Sequence, residues 1–335
     1  MRAVRLHGVG QLKFEQVAQP DALAPDSVRL RVQAIGICGS DLHNFRTGQW
    51  IGRLPIIPGH ELAGDIVEVG SDISDFYAGE LVVADSRVTC GACLPCQENR
   101  NNVCERLGYL GEVCDGGFAE FVSLPRARLL RVPDGVPSHI AALAEPLGVA
   151  LHVIRRLKPL PGMPVLIAGA GPIGGLVAIL LDHLGFGPLL IIERNAERAA
   201  LVAELTTAKI VTADSAEISR CIAPARLRHA VEATGSQAML SMLSTALSGG
   251  GRLALVGLFR GQPAFDLNRI VEREIDVVGC SVFCDEQREA LDLLVPLKQK
   301  LERVVSPPIR LEDVPAEYER LLAGHTSFLK TIVRP

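Results

Sequence analysis

The first part of the chain alternates between apolar and polar residues over short stretches, as half-buried β-strands do. Residues 28–32, Val-Arg-Leu-Arg-Val, alternate strictly, and residues 66–69 and 81–84 are further apolar segments of strand length. Glycine and proline interrupt these segments often. The pattern therefore predicts an irregular, mostly β domain over residues 1–143.

From about residue 144 onward, continuous apolar segments alternate with segments long enough for helices. Strands are predicted at residues 165–168, 189–192, 209–211, 230–233, 253–256 and 275–278. One helix follows a glycine turn and runs to about residue 184, and another starts near Asn195. Fully apolar strands alternating with helices indicate a parallel sheet covered on both faces. We therefore predict a doubly wound α/β domain of the Rossmann type over residues 144–283.

The last stretch, residues 284–335, contains a predicted helix near 287–300 and a predicted strand at 329–333. It is too short to build a hydrophobic core of its own, so we expect it to pack back on the first domain. A chain of 335 residues is longer than one core usually supports, which agrees with two domains.

Composition narrows the classes of function. The net charge is −4, charged residues make up 21% with both signs mixed, and no long run of Lys and Arg occurs, so we expect neither nucleic acid nor an anionic membrane as partner. Residues 163–181 are uncharged over a membrane-span length, but their prolines and glycines fit a strand, a turn and a buried helix better. The first six residues lack the apolar stretch of a secretory signal, so we expect a cytoplasmic protein.

A glycine-rich turn follows the first predicted strand of the second domain. Gly169, Gly171, Pro172, Ile173 and Gly174 lie in a G-x-G-x-x-G pattern that opens the next helix. Glycines let the backbone approach a pyrophosphate, and the helix N-terminus offers free N–H groups to it. The alternative is a turn that only packs a helix on the sheet. The acidic residue Glu193 at the end of the next strand favours a dinucleotide site.

The same acid bears on which dinucleotide is bound. Glu193 is expected to accept hydrogen bonds from both ribose hydroxyls and to repel a 2′-phosphate, which favours NAD over NADP. Arg194 and Arg198 weaken that inference, because arginine binds phosphate well. Arg198 could instead stack on the adenine or lie in solvent. The segment after the fifth strand is also assigned to the cofactor site and comprises Val256, Gly257 and Leu258.

The chain has nine cysteines, and four of them, Cys90, Cys93, Cys96 and Cys104, are spaced C-x2-C-x2-C-x7-C. Four thiolates complete a tetrahedral zinc site with no open position, which is the pattern of a structural ion. An iron–sulfur cluster also uses four thiolates, but no redox partner site is evident. Four other cysteines are expected to be small core residues, namely Cys114, Cys221, Cys280 and Cys284.

A second set of metal-binding residue types is dispersed along the chain. Cys38 lies in a Cys-Gly-Ser-Asp-Leu-His segment, His60 and Glu61 follow Gly59, and Glu145 lies where the predicted domains meet. One thiolate, one imidazole, one carboxylate and a water together make a catalytic zinc site with an exchangeable position. The spacing of these residues alone is also compatible with ordinary residues of polar turns.

Together and in this order, the motifs resemble those of the zinc-containing medium-chain dehydrogenases, which include alcohol, polyol and threonine dehydrogenases. The resemblance spans essentially the whole chain and rests on residues 38–43, 59–70, 90–104, 115–120 and 169–174. It implies that the mostly β part is a GroES-like catalytic domain with a structural zinc lobe at 90–104. It also implies two zinc ions per chain, one catalytic and one structural, and a homodimer or homotetramer.

The resemblance further implies roles for single residues. Cys38 and His60 are expected to bind the catalytic zinc, with either Glu61 or Glu145 as a further ligand and Glu61 slightly preferred. Asp41 is expected to hydrogen-bond His60. The remaining two residues would move the substrate proton: Ser40 would sit beside the metal-bound oxygen and accept it, and His43 would pass it toward solvent through the cofactor ribose.

The resulting hypothesis is a hydride transfer between a secondary alcohol or polyol and NAD, with oxidation of an L-threonine-like amino alcohol as the alternative. Sorbitol itself is in doubt, because residues 280–284 lack the Arg-Tyr pair of sorbitol dehydrogenases, and Val282 and Phe283 suggest a less polar pocket. Trp50 and Phe45 could line the pocket or pack in the core. A non-catalytic NAD-binding protein would be expected to lack the Cys38 motif, and a zinc-knuckle nucleic-acid binder would need a basic lobe.

Overall fold

A computed structural model describes residues 1–20 and 22–335 of the chain, and these form two compact units. The first unit comprises Met1–Glu145, Gln287–Thr326 and Lys330–Pro335, and the second comprises Pro146–Glu286 and Ser327–Leu329. The sequence predicts domain boundaries at 143/144 and 283/284. A domain boundary states which parts of the chain fold independently, so these boundaries remain predictions.

The amino-terminal part of the first unit consists mainly of short strands. These are β1 (Arg2–Gly8), β2 (Gln11–Gln16), β3 (Ser27–Gly36), β4 (Glu61–Val69), β5 (Leu81–Ala84), β6 (Arg87–Val88), β7 (Gly108–Tyr109), β8 (Phe121–Pro125) and β9 (Leu129–Arg131). The helices among them are α1 (Gly39–Thr47), α2 (Leu94–Gln97) and α3 (Ser138–Ala141), with 3₁₀ turns at Asn101–Val103 and Arg126–Arg128.

The middle of the chain alternates strictly between helix and strand. Its helices are α4 (Ala144–Leu157), α5 (Pro172–His183), α6 (Ala196–Leu205), α7 (Ser215–Ile222), α8 (Gln237–Ala246) and α9 (Leu267–Arg273). Its strands are β10 (Val165–Ala168), β11 (Leu189–Ile192), β12 (Lys209–Ile210), β13 (His229–Glu232), β14 (Arg252–Leu255) and β15 (Asp276–Gly279).

The carboxy-terminal part begins with a long helix. It contains α10 (Glu286–Val304), β16 (Ile309–Arg310), a 3₁₀ turn at Leu311–Asp313, α11 (Val314–Leu322) and β17 (Ile332–Arg334). Among the described residues, no helix has both the length and the apolar character that a membrane span requires.

A seven-stranded sheet organises the first unit. Its order is β16-β17-β3-β4-β5-β9, and β8 also pairs with β3. All neighbours run antiparallel except β16 and β17. The alternation predicted at residues 28–32 is confirmed, because Val28, Leu30 and Val32 are buried while the arginines between them are not. Since β17 is in this sheet, the end of the chain belongs to the first unit.

The second unit contains a six-stranded parallel sheet in the order β12-β11-β10-β13-β14-β15. Its central strands are buried along their whole length, as continuous apolar segments require. The predicted doubly wound α/β fold is therefore confirmed. The strand order reverses between β10 and β13, and a crevice at the carboxyl ends of such strands is where ligands of these folds bind.

Some local predictions differ from the structure. The last strand was expected from residue 329 but begins at Ile332, because Leu329 packs against Gly175 and the side chain of Lys330 is turned toward Glu61. The helix expected at 287–300 is longer and covers Glu286–Val304. The four cysteines expected in the core, Cys114, Cys221, Cys280 and Cys284, are half-buried rather than fully buried, and Cys114 and Cys221 pack against the hydrophobic cores of the two units.

Candidate metal centres and dinucleotide site

Helix α1 begins at one predicted zinc ligand and carries both predicted proton-transfer residues. The backbone N–H of Cys38 donates to Asp41 Oδ2 at 2.8 Å, which fixes the first turn of the helix. The helix ends at Gly48, whose φ of 65° is the left-handed conformation typical of a helix end. Ser40 and His43 lie one turn apart, so they share one side of the helix, where both are half-buried.

Three predicted ligands of the catalytic zinc lie together in the first unit. One donor atom from each of Cys38, His60 and Glu61 lies within 4.8 Å of the other two. The sheet causes this, because Gly36 at the end of β3 pairs with Glu61 at the start of β4. A thiolate, an imidazole and a carboxylate at this separation fit one zinc ion and leave room for a fourth ligand.

The carboxylate of Glu61 is almost completely buried, with 1% of its side chain exposed. Oε1 accepts a hydrogen bond of 2.6 Å from Lys330 Nζ, which also donates to the carbonyl of Ile37. Oε2 is buried and has no hydrogen-bond partner among the described residues. A Cβ on Gly36 would lie 2.0 Å from Oε2, so only glycine leaves room for the carboxylate. A buried oxygen without a partner, close to Cys38 and His60, fits a cation.

The second candidate carboxylate, Glu145, is close enough to His60 and Glu61 to feel their charges, but it has a different hydrogen-bond partner. It is buried, and its Oε1 accepts a hydrogen bond of 2.8 Å from Ser86 Oγ. Burial raises the pKa of Glu145 to about 7. Among the described residues, the group of possible ligands around Cys38 includes Glu61 and not Glu145. The structure therefore brings Glu61 together with the other two ligands and places Glu145 beside a serine.

The predicted hydrogen bond between Asp41 and His60 does not form. His60 Nδ1 lies 3.6 Å from Asp41 Oδ1, which is longer than a hydrogen bond, and Nδ1 has no other partner among the described residues. Asp41 instead accepts from the backbone of Cys38. Burial opposes a charged imidazole, but the nearby Asp41 carboxylate and Cys38 outweigh it and raise the pKa of His60.

The four predicted structural ligands form a compact group. Cys93 Sγ and Cys90 Sγ lie 3.8 and 3.5 Å from Cys104 Sγ, and all four sulfurs, including that of Cys96, are within 4.8 Å of one another. Sulfurs bound to one tetrahedral zinc at about 2.3 Å are about 3.8 Å apart. These sulfur–sulfur distances are far too long for a disulfide bond, and the space between the four sulfurs fits one ion rather than an iron–sulfur cluster. The N–H groups of Ala92 and Cys93 lower the pKa of Cys90 to about 5.

The predicted glycine turn connects β10 to α5 in the second unit. Gly169 has a φ of +94°, which favours glycine, and Gly171 immediately precedes the helix. A Cβ on Gly174 would lie 1.9 Å from the carbonyl oxygen of Gly169, so the helix can approach the strand only with glycine there. Pro172 and Ile173 form the first turn of the helix, whose N–H groups face the turn.

Glu193 lies at the end of β11 beside this turn. Its Oε2 accepts from the backbone N–H of Ala170 and its Oε1 from that of Asn195, both at 2.7 Å. The Arg198 Nη2 atom lies 3.5 Å from Glu193 Oε1. The structure thus brings the predicted acid and arginine together at the glycine turn, and Arg198 is not simply a solvated helix residue.

The third predicted part of the cofactor site follows β14. The N–H groups of Val256 and Gly257 both donate to the carbonyl of Glu232, and Leu258 is exposed. A Cβ on Gly257 would lie 2.3 Å from the backbone nitrogen of Gly235, so two loops meet closely at this point. Glu232 was not found by sequence reasoning and is fully buried. Its carboxylate accepts hydrogen bonds from the backbone N–H groups of Thr234 and Gly235, and these shape the loop after β13.

Expectations about the substrate pocket are only partly met. Phe283 is fully buried, and Val282 has a φ of 42°, a rare conformation for a branched side chain. Phe45 is buried against Tyr318 in the core. Trp50, in contrast, stacks on the ring of His43 at a centroid distance of 4.4 Å.

Two residues near the Cys38 group were not found by sequence reasoning. Ser86 has no distinguishing motif. Lys330 could have been noticed as a lone charge before the apolar residues Ile332 and Val333, but no local spacing connects it to Glu61, which is 269 positions away.

Comparisons with known families agree with this arrangement. The model described as "Alcohol dehydrogenase GroES-like domain" matches residues 24–134, and that described as "Zinc-binding dehydrogenase" matches residues 172–296. The chain is 30% identical to a sorbitol dehydrogenase of Bacillus subtilis, covering all of this chain and 97% of the relative. It is 29% identical to an L-threonine 3-dehydrogenase of Chelativorans, covering 80% of this chain and 79% of that one.

Solved structures give the same result. The fold matches 2R,3R-butanediol dehydrogenase from Bacillus subtilis with a TM-score of 0.91 and 29% identity, over 100% of this chain and 99% of that one. It matches a protein from Sinorhizobium meliloti 1021, described as a zinc-binding dehydrogenase bound to NADP, with a TM-score of 0.89 and 28% identity over the same shares.

The ion pair between Glu61 and Lys330 yields a testable prediction. Lys330→Met leaves a buried carboxylate without its counter-charge, and we expect the metal-free protein to lose about 3–5 kcal/mol of unfolding free energy. Zinc at the site should offset part of this loss, because the ion compensates the same charge. Denaturant titrations with and without zinc measure both values. The control Glu61→Gln/Lys330→Met should recover most of the stability, and equal losses in the single and double variants would contradict the pairing.

Proposed function

The chain belongs to the zinc-binding alcohol dehydrogenase family, and we propose that it transfers a hydride from a secondary alcohol or polyol to NAD. Family membership makes it a zinc-dependent oxidoreductase. The observation that carries the proposal is the approach of Cys38, His60 and Glu61 donors to within 4.8 Å, next to the helix that bears Ser40 and His43.

In this proposal, Cys38, His60 and Glu61 hold the catalytic ion, and the four cysteines of residues 90–104 hold the structural one. A zinc ion in the first site supplies Lewis acidity, which makes a bound alcohol more acidic. Ser40 Oγ accepts the proton of the substrate hydroxyl and gives up its own hydroxyl hydrogen toward His43, which passes a proton on toward solvent. Asp41 contributes by fixing the first turn of α1, which sets where Ser40 stands.

The substrate class is inferred from relatives and from the residues present. The matched relatives named after sorbitol and butanediol favour a compound with neighbouring hydroxyl groups. An L-threonine-like amino alcohol is the second candidate, supported by the relative of that name. Sorbitol itself is the less suitable polyol, because residues 280–284 lack the Arg-Tyr pair of sorbitol dehydrogenases.

The preferred dinucleotide is NAD. A carboxylate from Glu193 lies at the glycine turn, where the ribose of the cofactor is held in this fold, and its charge opposes a 2′-phosphate. Arg198 acts in the other direction, since its buried Nε has no hydrogen-bond partner among the described residues. Because Arg198 lies 3.5 Å from Glu193, its charge is already partly compensated.

We further infer a cytoplasmic homo-oligomer. Strand β15 is at the end of the order of the six-stranded sheet, and within the described part of the chain no strand pairs with its outer side. Exposed strand edges invite pairing with another chain. Nearby in sequence, Leu267 and Val271 on α9 are exposed apolar residues, 68% and 78% accessible, which also suits an interface.

Metal removal from each centre separately tests the proposed function. We expect about two zinc ions per chain in the native protein and about one in Cys38→Ala or Cys104→Ser. Only Cys38→Ala removes a ligand of the proposed catalytic ion, so it alone should abolish reduction of NAD in a panel of secondary alcohols, polyols and amino alcohols. Metal analysis and absorbance of the reduced cofactor are the measurements. Near-native turnover by Cys38→Ala would refute the zinc assignment.

Replacement of Glu193 tests the dinucleotide preference. Glu193→Ser removes a charged hydrogen-bond acceptor, which typically contributes about 1.5–3 kcal/mol, so kcat/KM for NAD should fall about tenfold or more. The value for NADP should fall less or rise, because the repulsion of its phosphate is also removed. Glu197→Ser, at an exposed position of α6, is the matched control. An unchanged NAD to NADP ratio would argue against the assignment.

A proline in β15 tests the proposed interface. The N–H groups of Asp276 and Cys280 point to β14, so by alternation that of Val277 points to the free edge. Val277→Pro therefore blocks pairing at the edge while keeping the hydrogen bonds to β14. We expect the variant to sediment as a monomer with unchanged circular dichroism. An oligomer of native mass would exclude this edge as the interface.

A further inference from the structure

We propose that Gln49 and Trp50, which follow helix α1, hold the ring of His43 as a single tautomer. In that tautomer Nε2 carries the hydrogen, and Nδ1 is the atom that accepts the proton passed on by Ser40. The inference rests on the proposed function, since His43 moves a proton only if an alcohol is oxidised. It makes Gln49 and Trp50 positioning residues rather than catalytic ones.

The ring of His43 is held at one edge and over one face. Its Nε2 lies 2.9 Å from Oε1 of Gln49. With the amide oxygen of Gln49 turned toward it, Nε2 is the donor, because an amide oxygen accepts and does not donate, and a neutral imidazole then has its lone pair on Nδ1. Trp50 covers the ring at 4.4 Å between centroids with 27° between the planes. These two contacts oppose both rotation of the ring and exchange of the hydrogen between the nitrogens.

The segment that supplies both contacts is itself anchored to buried groups. The backbone N–H of Trp50 donates to Asn44 Oδ1 at 3.1 Å, and Asn44 Nδ2 donates to Glu112 Oε1 at 2.9 Å. The carbonyl of Glu112 also accepts from the N–H of Gly52 at 2.8 Å. Asn44 and Glu112 are 4% and 6% exposed, so they join the segment to helix α1 from the inside.

The protonation state of Glu112 does not decide this anchoring. Burial raises the pKa of its carboxyl group to about 7. Either form keeps an oxygen that accepts from Asn44, so the anchor persists whether or not the group carries a proton. The role of Glu112 is therefore geometric, and a glutamine at this position should replace it.

The same contacts suit the charged ring that forms during the proton transfer. When Nδ1 takes the proton, His43 becomes an imidazolium, and the hydrogen bond from Nε2 to Gln49 becomes charge-assisted. The face of Trp50 then stabilises the positive ring. Nδ1 subsequently gives the proton to solvent water, which restores the neutral tautomer and leaves no proton unaccounted for.

Nitrogen spectroscopy of the full zinc-loaded chain tests the tautomer directly. With ¹⁵N-labelled histidine, and with His43→Gln to identify the signal, the native protein should show the Nε2–H form. In Gln49→Leu we expect a mixture of both tautomers and a kcat lower by about tenfold with little change in KM, since part of the acid–base contribution is lost. The matched control Gln299→Leu, exposed on α10, should change neither value.

The anchor is tested by a pair of variants of Glu112. Glu112→Gln should keep the native tautomer and kcat, whereas Glu112→Leu should give the mixture seen in Gln49→Leu. If Glu112→Leu does not fold, the exposed Gln49 still provides the test. An Nδ1–H form in the native protein, or an unchanged signal in Gln49→Leu, would overturn the inference. If no alcohol is oxidised, the proposed function fails, while the tautomer measurement keeps its meaning because it needs no substrate.

Discussion

The structure of the first unit depends on keeping the charge of one buried carboxylate, that of Glu61. An isolated charge in the interior costs several kcal/mol of solvation, so it must be compensated nearby. Lys330 provides one positive charge at 2.6 Å, and its other contact, with the carbonyl of Ile37, holds it there. Lys330 lies two residues before β17, which pairs with β3, and Gly36 at the end of β3 leaves space for the carboxylate.

The two metal centres differ in how the chain builds them. The four sulfurs come from one short excursion, residues 90–104, so their approach needs only local turns. A complete thiolate set leaves no position for a substrate, which is why we propose a structural role for an ion there. The Cys38 group offers three ligand atoms, which lie beside the ends of two strands, and a lysine binds one of these ligands. The group leaves one coordination position open. The centre to which we assign the reaction is therefore the one whose ligands are brought together by tertiary structure.

This difference also explains which features of the structure could be predicted from the sequence. The parallel sheet, the glycine turn and the cysteine lobe were predictable, because their residues are close in sequence and their spacing carries the geometry. The contact of Lys330 with Glu61 and that of Ser86 with Glu145 join distant segments, so no local pattern reveals them. The expected hydrogen bond between Asp41 and His60 does not form, for a related reason. A sequence indicates which groups lie near each other, but it does not determine their separation to within a few tenths of an ångström.

Helix α1 shows how packing on one side of an element can serve chemistry on the other. Asp41, Asn44 and Phe45 are its buried residues, and their spacing of three and four positions places them on one face. Ser40 and His43 then necessarily lie on a more open side. Because Asn44 is bonded to Glu112 and Phe45 packs on Tyr318, the helix cannot rotate about its axis without losing these contacts. The buried face therefore fixes the direction in which Ser40 and His43, the two proposed proton-transfer residues, point.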